Sequence, residues 1–296
     1  MKKTVFEGAA TAIITPLFED GSVDFETFGA LIEFQIAAGI DAIVVAGTTG
    51  EGSTLSDKEH RDVMDFCIKK TAHRVPVIAG TGSNDTAYAI ELTQAAEESG
   101  ADAMLLVTPY YNKATQAGLI KSFAAVADRT SKPCILYNVP SRTGCNILPA
   151  TAAELSRHPN IVGIKEASGN ISQIAETAAL CGEDFSVYSG NDDQVVPVMS
   201  LGGKGVISVL SNLLPAETSK MCRLCFEGDY KAAAKMQLGF LPLISALFCE
   251  VNPIPVKAAM SAMGYGTDVL RLPLTTISDK NRSVLLSEMR KCGINV

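Results

Sequence analysis

The stretch ADAMLLVTPYYN (101–112) carries the pattern that decides the fold. Residues 103–107 are apolar throughout, and the run ends abruptly in Thr108-Pro109-Tyr110-Tyr111. A strand with one face in water would alternate apolar and polar residues. A run that is apolar at every position suits a parallel strand covered on both faces. The same unit recurs at 10–15, 42–46, 75–79, 134–137, 161–164, 185–188 and 206–209, which makes eight in all. The spacing is mostly about 25 to 35 residues, as a strand–helix repeat requires.

Helical periodicity fills the intervals. Phe25, Phe28, Leu31, Ile32 and Ile36 recur at i, i+3, i+4. Ser56 with Glu59 three residues on is a capping box, followed by Val63, Met64, Phe66 and Cys67. Leu119, Ile120, Phe123 and Val126 mark another helix, and Gly39, Gly100 and Gly182 fall where helices should stop. Eight strands alternating with helices predict an α/β fold, a (β/α)8 TIM barrel, over 1–228. A doubly wound open sheet is the alternative. It would usually carry fewer strands and a GxGxxG after the first, where this chain has Thr15-Pro16. No further strand follows 209. Residues 215–226, 230–249 and 255–263 read as helical, so 229–296 is expected to form a C-terminal helical region, with the boundary near Gly228.

The bulk numbers agree. A barrel of about 250 residues plus an appendage accounts for the length of 296, and 47% hydrophobic residues permit a large core. The longest apolar runs fall far short of the roughly 20 residues of a membrane span. After Met1-Lys2-Lys3-Thr4 comes Glu7 rather than an apolar segment, so no signal peptide is read. A cytoplasmic protein with no membrane partner is expected. A net charge of −7 argues against nucleic acid. It also means that an anionic substrate must be held by local positive groups. The eight cysteines are expected to be reduced thiols. Only Cys222 and Cys225 form a CxxC, in a helical stretch, and they read as packing rather than as a metal or redox pair. His60, His73 and His158 are widely spaced, and no metal site is expected.

Barrel enzymes keep their active sites at the C-terminal ends of the strands. Those exits are dense in hydroxyls and small residues, and one lysine stands out. Lys165 follows Ile161-Val162-Gly163-Ile164. An ammonium there is costly unless paired or deprotonated, and a neutral amine can attack a carbonyl. Taken alone, such a lysine reads rather as a strand-end cation paired with Glu166 or with another carboxylate; the residues around it reverse that reading. Tyr137 ends the preceding strand, within reach of the amine and able to shuttle protons, or merely fills space. Gly47-Thr48-Thr49-Gly50-Glu51 is a tight turn whose amides and hydroxyls suit a small carboxylate. Arg142, in the loop after Tyr137, is either a surface arginine or a carboxylate clamp.

The motifs GTTGEGSTLSDKEH (47–60), TPYYN (108–112), YNVPSRTG (137–144), GIKEASG (163–169), SGNDD (189–193) and GVISVLSN (205–212) together resemble the 4-hydroxy-tetrahydrodipicolinate synthase (dihydrodipicolinate synthase) family, across essentially the whole chain. The resemblance implies a lyase that condenses pyruvate with L-aspartate 4-semialdehyde, in lysine and diaminopimelate biosynthesis. By that resemblance Lys165 is the Schiff-base lysine and Tyr137 the proton donor and acceptor. Thr48 and Tyr111 complete a proton relay, with Tyr111 reaching a neighbouring subunit's site. Thr49 and the main chain of Ile207 bind pyruvate, Gly190 lines the site, and Arg142 holds the semialdehyde carboxylate. No cofactor is implied, and the assembly is a homotetramer of two tight dimers. Sister enzymes, N-acetylneuraminate lyase and keto-sugar-acid aldolases, share barrel and lysine but take longer aldehydes; Arg142 in its YNVPSRTG context and the Thr48-Thr49 pair favour the synthase. A non-catalytic binding barrel would be expected to lack the lysine or its relay partner. His60, Asn84, Tyr88 and Tyr110 match positions of an effector site for L-lysine. Tyr88 stands where sensitive members often carry a glutamate, so weak lysine inhibition is expected.

Overall fold

The computed structural model describes Lys2 and residues 4–296. Eight parallel strands close into a barrel in sequence order. They are β1 (Gly8–Ala12), β2 (Ala42–Val45), β3 (Val77–Gly80), β4 (Ala103–Val107), β5 (Cys134–Asn138), β6 (Ile161–Glu166), β7 (Ser186–Ser189) and β8 (Gly205–Ser208). All eight expected strands are present, with ends moved by a few residues. The first stops early because its ladder ends at Thr11 against β8 and at Ala12 against β2. β6 runs two residues further than expected, so Lys165 lies inside the strand rather than beyond it.

Side chains alternate across the pleat. Ala10, Val44, Ile78, Leu105, Ile135, Tyr137, Tyr188 and Ile207 pack together inside the barrel. Ala9, Ile43, Met104, Leu136, Ile164 and Val206 pack outward against helices, including Phe28, Leu31 and Ile32 of the helix Phe25–Ala37. The floor is closed by Phe6, stacked on Tyr188 at 4.4 Å, whose hydroxyl donates to the Phe6 carbonyl at 2.8 Å. The capping box is present: Ser56 accepts from the Glu59 amide, and Glu59 accepts in return from Ser56. Asp24, Asp85, Thr115 and Asn170 cap four further helices, each accepting a backbone N–H of the first turn through its side-chain oxygen.

Helices Pro215–Phe226, Tyr230–Leu247 and Ile254–Ala262 form close to the expected bounds. A further helix, Asp279–Lys291, was not expected. Its strongly polar sequence buries only Leu285 and Met289, too few apolar anchors to produce a visible period. Gly228 sits in the turn between the first two of these helices, at φ 82°.

The C-terminal region is tied to the loop after β2. Lys257 and Glu51 form an ion pair at 2.6 Å with both side chains buried. The second Glu51 oxygen accepts the Arg271 backbone N–H at 3.1 Å. The Arg271 guanidinium binds Glu59 and the carbonyls of Gly21 and Thr54. Burial pulls the Lys257 ammonium down from the ordinary lysine range, and Glu51 opposes that pull. Breaking a buried pair strands its partner's charge. Lys257→Met is therefore expected to lower unfolding free energy by about 3–5 kcal/mol. A urea titration measures this as a lower midpoint at unchanged slope.

Candidate active site

A cavity of about 200 Å³ opens at the C-terminal ends of the strands. Lys165, Tyr137, Thr48, Thr49, Arg142 and Gly190 all line it. Strand register brings the first two together: Tyr137 of β5 pairs with Lys165 of β6. Tyr137 belongs to the inner packing layer, and Ile164 to the outer, so alternation turns the next residue, Lys165, inward. Lys165 is 6% exposed, and its Nζ lies over the Tyr137 ring, 4.3 Å from the centroid. The amine thus faces the π system of the ring. No hydrogen bond joins Nζ to the Tyr137 hydroxyl among the described residues.

Glu166 is not the partner of Lys165. It points the other way, fully buried, and accepts from Asn138 Nδ2 (3.1 Å), the Ser168 amide (2.8 Å) and Gln173 Nε2 (3.3 Å). Burial pushes its carboxyl up, against the pull of those donors. A different carboxyl sits near the amine. Asp192, just past β7, is 2% exposed, and its Oδ2 accepts the amides of Val209 (3.0 Å) and Leu210 (2.9 Å). Burial pushes Asp192 up, while Ser208, those two amides and the charge of Lys165 pull it down.

The remaining expected residues divide. Thr48 is half-buried and Thr49 buried, on the turn after β2. Arg142 is exposed at the mouth and donates to the Asn252 carbonyl at 3.2 Å. Ile207 lies in the inner barrel layer and does not line the cavity; Val209, two residues on, does. Tyr111 stands apart, 91% exposed, with its backbone at φ 70°. A second cavity of about 360 Å³ shares Gly47, Thr48, Tyr137 and Arg142 with the first. It extends outward to His60, Ser83, Tyr88 and Tyr110. Asn84 is half-buried nearby, and its carbonyl accepts from Asn112. His60 is buried with Nε2 at 2.9 Å from the Gly80 carbonyl, and burial lowers its pKa. The Tyr88 hydroxyl donates to Asp57 at 3.1 Å, and Asp57 is paired with Arg61.

The model of the dihydrodipicolinate synthetase family matches residues 5–291. The chain belongs to the dihydrodipicolinate synthetase family. It is 55% identical over 292 residues to the 4-hydroxy-tetrahydrodipicolinate synthase of Caldicellulosiruptor saccharolyticus, with 99% of each chain covered. Among solved structures it superposes with a TM-score of 0.96 on the dihydrodipicolinate synthase of Acinetobacter baumannii complexed with pyruvate, at 43% identity over 99% of this chain and all of that one. The enzyme from Cyanidioschyzon merolae with lysine bound gives the same TM-score at 38% identity and the same coverage.

Within this family member, several cavity residues escaped the sequence reading. Phe248 and Asn252 enter from the C-terminal region; Ser141 and Asn191, inside the strand-exit motifs YNVPSRTG and SGNDD, line the cavity as well. Asn252 lies between Val251 and Pro253, in a stretch with no motif to mark it. Lys257 likewise stands in a stretch with no motif. Among the described residues no group of three His, Cys, Asp or Glu side chains could hold a metal ion. Cys222 and Cys225 are buried, and burial pushes both thiols up, Cys225 to about 11. No helix is long and apolar enough to cross a membrane among the described residues.

Gly190 is required at the rim for space. A Cβ there would stand 2.6 Å from that of Ala167 and 3.1 Å from the Glu166 carbonyl. Gly190→Ala is expected to cost about 1–3 kcal/mol of stability as overpacking, read from a urea titration. An unchanged midpoint would show that the β6–β7 wall yields freely.

Proposed function

We propose that the chain is a 4-hydroxy-tetrahydrodipicolinate synthase, condensing pyruvate with L-aspartate 4-semialdehyde through an imine on Lys165. The observation that carries this reading is a buried lysine amine against Tyr137 inside a barrel mouth, in a chain 55% identical to such a synthase over its length. The Lys165 amine attacks C2 of pyruvate, and water leaves as the imine forms. Loss of a methyl proton gives an enamine. Its carbon attacks the aldehyde carbon of the second substrate, making the new carbon–carbon bond. The product's own amino group then displaces Lys165 and closes the ring. The lysine imine is itself the electron sink, so the scheme uses no metal or cofactor. Each step moves a proton, which Tyr137, Thr48 and a partner-borne Tyr111 relay. Thr49 and the main chain of Ile207, in the layer beneath the cavity, bind pyruvate, Gly190 leaves room beside it, and Arg142 takes the carboxylate of the semialdehyde.

The reading extends to assembly and place. The exposed Tyr111, held at a positive φ that disfavours a bulky side chain, suits a residue that completes a second subunit's site in a homotetramer of two tight dimers. The barrel 1–228 carries the chemistry and 229–296 the helical appendage, in a cytoplasmic enzyme of lysine and diaminopimelate biosynthesis.

His60, Asn84, Tyr88 and Tyr110 surround a weakened effector site. A lysine ammonium binds best to a free carboxylate. Tyr88 offers a phenol already committed to Asp57, which is itself neutralised by Arg61. Activity is expected to persist at millimolar L-lysine; half-inhibition below that range would overturn this part of the reading.

The central test is borohydride reduction in the presence of pyruvate, followed by peptide mass spectrometry. The adduct is expected on Lys165 and is lost in Lys165→Ala; an adduct surviving on another lysine moves the site. Arg142→Ala is expected to retain the adduct and to raise the KM for the semialdehyde about tenfold or more, as loss of a charge-assisted clamp does. Loss of the adduct in that variant would refute the role given to Arg142.

A further inference from the structure

The helical C-terminal region reaches the catalytic cavity at Asn252, which is 5% exposed and lies between helices Tyr230–Leu247 and Ile254–Ala262. The residue touches two groups of the proposed chemistry at once. Its Nδ2 donates to Thr49 Oγ1 at 3.0 Å. Its main-chain carbonyl accepts from Arg142 Nη2 at 3.2 Å. Its own Oδ1 is buried with no partner among the described residues.

These contacts have a direction. A threonine hydroxyl carries one hydrogen and can accept as well. The Asn252 amide occupies the accepting side of Thr49, which leaves the single hydrogen of Thr49 free for an anion in the cavity. Had a carboxylate or a carbonyl stood there, it would have claimed that hydrogen. The unpartnered Oδ1 points the same way. A buried orphan acceptor destabilises the fold, so a residue serving only to pack this corner would be better apolar. An amide is useful here for the bond that it donates. The backbone carbonyl does the complementary work on Arg142: it fixes one end of a guanidinium whose planar fork still has donors for a carboxylate.

We propose that Asn252 is a positioning residue for both carboxylate sites of the condensation, its side chain orienting Thr49 toward the pyruvate carboxylate and its backbone carbonyl orienting Arg142 toward the carboxylate of the aldehyde. This rests on the proposed function. It divides that function between two chemically separate arms of one residue, so side-chain substitution removes only the first arm.

The test is steady-state kinetics of the full chain with both substrates varied, alongside borohydride trapping. Asn252→Asp keeps the shape, exchanges the donor for an acceptor and adds a negative charge beside an anion site. The KM for pyruvate is expected to rise at least about tenfold, with the KM for the semialdehyde within about twofold. Asn252→Ala removes the donor without claiming the hydrogen of Thr49, so its rise is smaller than that of the aspartate variant. On a Thr49→Val background, Asn252→Ala should add no further change, because the group it orients is gone. The inference is overturned by equal rises in both KM values, by an unchanged KM for pyruvate in the aspartate variant, or by an alanine effect that survives on Thr49→Val. Should the alanine variant not fold, the near-isosteric aspartate variant decides alone by its KM split. A wild-type chain that gives no pyruvate adduct overturns the proposed function and this inference together. An adduct that forms normally, with pyruvate saturation indifferent to position 252, overturns only the inference.

Discussion

Closure of the sheet is the constraint on which everything else rests. Eight parallel strands leave no edge, so each strand is locked between two neighbours and its alternation cannot slip without turning core residues to the wrong face. In β5 and β6 this lock sets Leu136 and Ile164 outward and Tyr137 and Lys165 inward at one level of the barrel. The Lys165 side chain there is almost shut off from water, and its Nζ rests on an aromatic face. Register alone thus places a buried lysine nitrogen against the Tyr137 ring at the barrel mouth.

The register is itself held from outside the barrel. Asn138 and Glu166 are the strand neighbours immediately after Tyr137 and Lys165, and alternation turns them outward, where they bond to each other. Gln173 and Asn146 bond to each other and to this pair, and the Ser168 amide completes the set. A buried carboxyl stripped of these donors would be costly, so sliding β5 past β6 is penalised at the level where the inner pair must align. The outer network is the reason why the inner contact can be a geometry rather than a fluctuation. On the other flank, Asp192 joins the exit of β7 to the backbone after β8 through two amides and holds a carboxyl within electrostatic range of Lys165.

The parts that were legible in the sequence are those built from local repetition. Strands apolar on both faces, helices with a 3.6-residue period and the Ser56–Glu59 capping box each write their structure into a few consecutive residues. The strand exits were legible too, because a barrel puts chemistry at predictable places, and six of the eight residues expected in the catalytic and substrate-binding set line one cavity. Tyr111 and Ile207 lie off it, the first exposed and the second in the layer beneath. What the sequence hid were partners that meet only through the tertiary fold. Asn252 and Lys257 carry no motif, and each reaches across more than 200 positions, to Thr49 and to Glu51. Helix Asp279–Lys291 was hidden for the opposite reason: its neighbours in space supply the apolar surface that its own sequence lacks.

Those long-range partners explain how the turn after β2 keeps its shape. Glu51 adopts φ 53°, in the left-handed region, which costs a non-glycine residue about 1–3 kcal/mol. A turn so strained persists only if its surroundings over-determine it. Lys257 grips one oxygen of Glu51 and the Arg271 amide grips the other, while the Arg271 side chain fastens Glu59 and the carbonyl of Thr54 a few residues downstream. All of these grips come from the helical C-terminal region. The turn that presents Thr48 and Thr49 to the cavity is therefore encoded in the first fifth of the chain but stabilised by the last. The helical region thus holds the loop that lines the cavity, as well as covering the barrel.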